Sequence, residues 1–179
     1  MDLLNRYEHG EFFTEDSIHQ DESTVYKTSL GRTVYGGGGI MPDIFVPQDT
    51  TAYTSYYKSA LMKGMLQKFA FHYTDTNRSK LNMFDSNQDL LKYLKRQNLL
   101  EQFARYADER GLKRRNNMMM KSKILFEEAL YGNIIYDVMG LQEYIQYLNE
   151  HDDTVIKAVE ILESGRSYPV QSEENIANE

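Results

Sequence analysis

The chain has 179 residues, 41% hydrophobic and 26% charged, which fits one globular domain, or one domain with a piece of another, and excludes global disorder. Its 20 Lys+Arg against 27 Asp+Glu give a net charge of −7, which excludes a nucleic-acid partner held by bulk positive charge. With no cysteine there is no disulfide, thiolate metal site or Cys nucleophile; no apolar run is long enough for membrane insertion, and Met1 to Arg6 carries no signal-peptide core.

The prolines are Pro42, Pro47 and Pro169. The long proline-free run between the last two predicts a helical region, since proline costs about 3 kcal/mol inside a helix. The chain therefore divides at 48/49. Residues 1–48 read as loop and strand. From Glu8 to Ser23 the sequence is acidic and aperiodic, an excursion. Thr24 to Ser29 and Arg32 to Tyr35 are β-branched and aromatic on either side of Leu30-Gly31, which predicts a hairpin. Asp43 to Val46 is a third short strand, stopped by Pro47. Three such strands cannot bury two faces, so they read as the end of a sheet whose other strands lie elsewhere.

Residues 49–165 have helical period. Tyr53, Tyr57, Leu61, Met65, Phe69 and Tyr73 recur every four residues, with Leu66 and Ala70 widening the stripe and Asp49 or Thr50 as N-cap. Within the ambiguous stretch 84–95, Leu90, Leu91 and Leu94 suggest a short helix. Leu99, Leu100, Phe103, Ala104 and Ala107 mark a further one, closed by Gly111 in a left-handed cap. From about Asn117 to Met139 the sequence is apolar on most sides, including Met120 and Ile124, which predicts the centre of a bundle. Leu141, Tyr144, Ile145 and Leu148 form another helix, ended by Asn149-Glu150-His151. Asp152 or Asp153 then caps a last one with Val155, Ala158, Val159 and Leu162, followed by Gly165. Residues 166–179 are polar and aperiodic, a flexible tail. The predicted fold class is α+β, a short sheet followed by a mostly α-helical domain.

Several polar groups invite a chemical reading. Gly36-Gly37-Gly38-Gly39 is followed by Pro42 and a strand-like run instead of a helix, so it is read as backbone freedom between strands and not as a phosphate cradle. Ser122-Lys123 and Ser79-Lys80 are neighbours on helices, where adjacent side chains diverge by about 100° and form no dyad. His9, His19, His72 and His151 lack metal-ligand spacing. Lys113-Arg114-Arg115 reads as a solvated basic face, and Met118-Met119-Met120 as core filling.

Taken with its flanks, the glycine run has a relative. Tyr26 to Val46 closely resembles a segment of the C-terminal processing (tail-specific) serine peptidases, in which T-x-x-GR-x-(V/I)-x-G-x-GI-x-PD follows the catalytic centre. The matching positions are Thr28, Gly31, Arg32, Val34, Gly37, Gly39, Ile40, Pro42 and Asp43. The lead-in from Leu4 to Phe13 and the closing stretch Asp153 to Leu162 are similar to the Bacteroidetes-type members. The resemblance implies a parent endopeptidase of the periplasm or cell envelope, with a Ser nucleophile, a Lys general base and a PDZ-like region, all upstream of this segment. Residues 1–30 resemble neither the nucleophile segment nor the Gly-Lys-Gly segment. The chain is therefore read as the C-terminal portion of such an enzyme: 1–48 as the end of the catalytic domain, 49–165 as a helical domain, 166–179 as the tail. No residue inherits a catalytic, cofactor-binding or metal-binding role, and no cofactor is implied. The implied partners are the upstream catalytic and PDZ-like regions and the parent's protein substrates. A homo-oligomer through strands 24–46, or disorder of that segment, is the further expectation, the helical part being read as acidic and mixed on its surface. A non-enzymatic helical protein–protein interaction module is the alternative.

Overall fold

A computed structural model describes Gly10, Gly31 and residues 24–29, 33–36 and 44–165. The architecture is α+β: a two-stranded antiparallel sheet and, among the described residues, eight helices. Arg32, Gly37 to Asp43, the acidic lead-in and the tail 166–179 lie outside the described residues. Thr50–Asp152 forms one unit; the hairpin and the last helix belong to another.

β1 (Val25–Lys27) pairs with β2 (Thr33–Tyr35) in the register Val25↔Tyr35, Tyr26↔Val34, Lys27↔Thr33. The Gly31 N–H closes the turn on the Thr28 carbonyl at 2.9 Å, with Gly31 at φ +81°, a left-handed conformation that favours glycine. Past β2, the Gly36 N–H donates to the Thr24 carbonyl at 2.7 Å. A Cβ on Gly36 would lie 2.6 Å from Cε2 of Tyr26, so this glycine admits the tyrosine ring over the backbone. The expected third strand is corrected: Ile44 to Val46 form no ladder. Their β-branched and aromatic character fits a pleated surface but supplies no partner edge, and Pro47 offers no N–H.

The unit Thr50–Asp152 holds α1 (Ser55–Met62), α2 (Met65–Leu81), α3 (Asn87–Lys95), α4 (Leu99–Glu109), α5 (Asn116–Lys121), α6 (Lys123–Met139) and α7 (Leu141–Asn149). The single helix expected from Tyr53 to Tyr73 is two, broken at Gly64, which sits at φ +61°. A strict four-residue repeat explains why. It drifts about 40° around a helix at each step, so the stripe cannot stay on one buried face without a break. Tyr57, Met65, Phe69 and Tyr73 are buried, whereas Leu61 is 44% exposed. The N-cap is Thr54 and not Asp49 or Thr50: its hydroxyl accepts from the Tyr57 N–H at 3.3 Å.

The long apolar helix expected from Asn117 to Met139 is also two, joined at Ser122. This fully buried serine donates its hydroxyl to the Ala52 carbonyl at 2.5 Å and meets the Thr54 hydroxyl at 2.7 Å. Met120 and Ile124, read as core from the sequence, are 57% and 67% exposed. The joint ties the α5–α6 corner to the turn before α1, and these two side chains fall outside the packed face. Beyond it, α6 is central: α2, α3, α4, α5 and α7 all pack on it. Phe126, Leu130, Ile134 and Ile135 are fully buried. The Phe126 ring lies 5.0 Å from Tyr57, 5.7 Å from Tyr56 and 5.3 Å from Phe103, centroid to centroid.

α3 forms as read, capped by the Ser86 hydroxyl, which accepts from the Asp89 N–H at 3.2 Å, with Leu90 and Leu94 buried. α4 ends as its glycine foretold. With Gly111 at φ +87°, the Leu112 N–H reaches the Ala107 carbonyl at 2.9 Å and the Gly111 N–H the Asp108 carbonyl at 3.2 Å. Gly132 of α6 makes room for α7, since a Cβ there would be 3.2 Å from the Tyr144 ring and 3.3 Å from the Tyr147 ring. In α7 only Tyr147 is buried. The last helix, α8 (Asp153–Glu163), forms as read and has no buried residue.

Two outcomes follow in urea denaturation. Leu130→Ala, at the fully enclosed centre of α6, is expected to lose about 2–5 kcal/mol, and Ile124→Ala to stay within about 0.5 kcal/mol of the natural chain. Equal losses at both positions would refute the central placement of α6. Gly64→Ala is expected to cost about 1 kcal/mol, because a left-handed residue strains any side chain.

Candidate functional site

α2 and α4 lie side by side on α6, and their outer faces enclose an open cleft of about 310 Å³. Its floor is aromatic. The Tyr106 ring receives the edge of Phe69 at 5.4 Å, stacks with His72 at 5.7 Å and carries the Arg110 guanidinium 3.7 Å from its centroid. Spacing on the two helices dictates this: Phe69, His72 and Tyr73 lie three and four apart on α2, and Gln102, Arg105 and Tyr106 likewise on α4. Arg110 is positioned by its own helix end, donating to the Tyr106 carbonyl at 3.2 Å and pairing with Glu109 at 3.5 Å. Arg105 pairs with Glu101 at 3.3 Å. Burial, with a hydrogen bond to Tyr93, pushes the Tyr73 phenol well above its ordinary range, so it stays protonated. Thr76 and Asn77 spend donors on the His72 and Tyr73 carbonyls, both at 2.8 Å. The arrangement can stack a planar or apolar group on Tyr106 and offer a guanidinium to its polar end. No hydroxyl in it is paired with a base.

A charged cluster closes the loop after α4. Both terminal nitrogens of Arg114 donate to the Glu101 carboxylate at 2.7 Å, a bidentate pair, and its Nε donates to Asn116 at 2.5 Å. The Arg114 N–H and Lys113 Nζ reach the two oxygens of Asp108 at 3.0 and 3.5 Å. Arg114 holds the Glu101 carboxyl below its usual range, and the Arg114 backbone N–H does the same for Asp108. Asp137 on α6 differs: burial raises its carboxyl, with Arg78 acting weakly in opposition. The run Lys113-Arg114-Arg115, read as a solvated basic face, is thus in large part folded back onto acids of α4.

The remaining candidates are dispersed. The Ser122 hydroxyl is committed to Ala52 and Thr54, while Lys123 lies 3.7 Å from Glu127. Lys80 sits over the Tyr93 ring at 4.7 Å. His72 belongs to the cleft; His151 contacts the Tyr147 carbonyl through Nδ1 at 2.8 Å. His9 and His19 lie outside the described residues. Met119 is buried and Met120 exposed, so the methionine run is split between core and surface. Among the described residues, no group of three His, Cys, Asp or Glu could hold a metal, and no helix is long and apolar enough to cross a membrane. The cleft escaped sequence reading because it needs α2 packed beside α4. Its one local trace is the pairing of Tyr106 with Arg110 at i, i+4.

Residues 56–140 match the model of DUF8443, a family of unknown function. The match runs from α1 through α6, somewhat under half of the chain, and includes the cleft and the Glu101–Arg114 pair. The segment Thr28 to Asp43 lies outside it. No curated protein and no solved structure matches the chain.

The two perturbed carboxyls have opposite consequences for stability. Glu101 titrates lower in the folded chain than unfolded, so its contribution is complete above the ordinary Glu range and is lost as pH falls through the depressed folded value. Asp137 titrates higher when folded, so its ionisation opposes folding above that raised value and is harmless below the unfolded one. In urea titrations, Glu101→Gln should therefore destabilise at pH 7 and lose that effect in acid. Asp137→Asn should stabilise at pH 7 and likewise converge with the natural chain in acid. A pH-independent difference in either case would remove the electrostatic explanation.

Proposed function

We propose that this chain is the C-terminal part of a carboxyl-terminal processing serine endopeptidase of the cell envelope, contributing architecture instead of catalytic groups. The observation that carries this reading is the nine-position match from Thr28 to Asp43, which runs through a hairpin with no larger sheet around it among the described residues. All six residues of β1 and β2 are exposed, Val25 and Tyr26 by more than half. A two-stranded ribbon is marginal in water by itself, and its open edges invite further strands. In this reading the upstream region supplies those strands together with the Ser nucleophile and Lys base, and the PDZ-like region presents the protein substrate. The helical unit is an appendage that orients subunits or controls substrate access.

The described Ser and Lys side chains support that division of labour. Activation of a serine needs a base within hydrogen-bond reach. Ser122 instead spends its hydroxyl on the Ala52 carbonyl, and Lys123 faces Glu127. A second reading, a non-enzymatic helical interaction module, draws on the cleft between α2 and α4, whose aromatic floor and paired guanidinia suit non-covalent binding.

Two measurements test the peptidase reading, and the first also separates it from the interaction module. The transcript that encodes Met1, read upstream in the same frame, is expected to carry a PDZ-like stretch, a Gly/Ala/Ser-rich segment and a Gly-Lys-Gly segment. A stop codon shortly before Met1 would overturn the peptidase reading. The 179-residue chain by itself is expected to cleave neither an unfolded protein nor peptides with apolar C-termini, and to take up no fluorophosphonate. Stoichiometric labelling of one serine would overturn the assignment of catalysis to the upstream region.

A further inference from the structure

The cleft between α2 and α4 lies wholly within Thr50–Asp152, and its hydrogen bonds sort by type. Thr76 and Asn77 turn their donors back onto α2 carbonyls, and Gln102 Nε2 donates to the Gln97 carbonyl at 2.6 Å. What these side chains have left to offer a ligand is oxygen, as an acceptor.

The guanidinia are the opposite case. Arg110 sits over Tyr106, and of its nitrogens Nη1 is engaged, by the Tyr106 carbonyl at 3.2 Å and by Glu109 at 3.5 Å. Its Nε and Nη2 have no partner among the described residues, and together they form the edge that grips a carboxylate through two parallel bonds. Arg105 spends Nε on Glu101 at 3.3 Å, but both terminal nitrogens of Arg114 already hold that carboxylate at 2.7 Å. In a chain of net charge −7, the cleft is thus lined by two guanidinia and one carboxylate, Glu109. This local reversal of sign selects an anion.

The floor and the volume set the rest of the ligand. Phe69 is buried and turns its edge to the Tyr106 ring at 5.4 Å, a surface suited to a flat ring. At about 310 Å³ the cleft is at the small end of ligand sites, which run from about 300 to 1,000 Å³. A small molecule fills it, whereas a partner's helix does not fit inside.

We propose that the cleft binds a small hydroxylated aromatic acid. The Arg110 edge takes its carboxylate, with Arg105 as the second cation; the ring lies on the floor of Phe69 and Tyr106; the hydroxyl donates to the oxygen of Asn77 or Gln102. The site is contained in the helical unit, so it stands or falls independently of the peptidase reading, and it gives the cleft a small-molecule occupant instead of a protein.

Calorimetric titration of the full chain with 4-hydroxybenzoate is the test. Saturable binding of one molecule per chain is expected, with acetate and phenol each at least about tenfold weaker, because each lacks one half of the recognition. Arg110→Gln is expected to weaken 4-hydroxybenzoate about tenfold or more, and Arg110→Lys nearly as much, since an ammonium offers no fork. Arg115→Gln, outside the lining, should change nothing. Should Arg110→Gln lose its helical circular dichroism, Arg105→Gln decides, with a several-fold loss expected. Acetate binding as tightly as 4-hydroxybenzoate overturns the proposal, as does an equal loss in Arg115→Gln, which would mean bulk charge alone. No binding of 4-hydroxybenzoate overturns it too, and if the peptide acetyl-Glu-Tyr-Glu-amide then binds, the cleft belongs to a protein partner.

Discussion

The burial of α6 is the constraint on which the rest of Thr50–Asp152 depends. Phe126, Leu130, Ile134 and Ile135 remove apolar surface on several sides of one helix, and that surface can be covered only by several other helices at once. α2 covers one side, α4 and α3 others, and α7 lies against the notch at Gly132. The cleft is a by-product of this requirement. Two helices that must both touch α6 leave a furrow between their outer faces, and the residues at its rim are then free to be aromatic and charged.

The polar groups that matter most for shape are few and sit at corners. Ser122 ends one helix and starts the next while its hydroxyl holds the turn before α1, so a single buried side chain fixes where α5, α6 and α1 meet. Left without partners, that hydroxyl would cost on the order of 1–3 kcal/mol, which is why its acceptor and its neighbour are both supplied. The Arg114–Glu101 pair does a similar task at the surface. It draws the chain after Gly111 back along α4, using a bidentate contact whose geometry is more restrictive than a lysine could offer.

The two ends of the described chain have a different character. β1 and β2 pair only with each other and α8 bonds its backbone internally, but both elements bury almost none of their side chains. Elements of that kind are stable when something else covers them. For the hairpin, the proposed cover is the sheet of a peptidase domain. The part of the chain that matches a family of unknown function, residues 56–140, begins after the hairpin and ends before α7.

Local chemistry was enough to determine several features of this protein. Glycine at 31 and 111 takes the left-handed backbone that its neighbours cannot, the Leu99–Ala107 stripe is buried as its spacing requires, and the apolar stretch that became α6 is central because nothing else can hide it. The α+β class follows from the same signals. Tertiary structure alone decided where continuous patterns break. Gly64 and Ser122 each divide a run that reads as one helix, since drift of the stripe and the commitment of a buried hydroxyl become visible only once neighbours are in place. It also decided which apolar residues go unused: Leu61, Ile124, Leu141 and Ile145 have the same composition signal as the core and stand in solvent. Periodicity reports that a face is apolar; whether anything covers that face depends on the number of helices that can reach the same core, and no residue carries that count by itself.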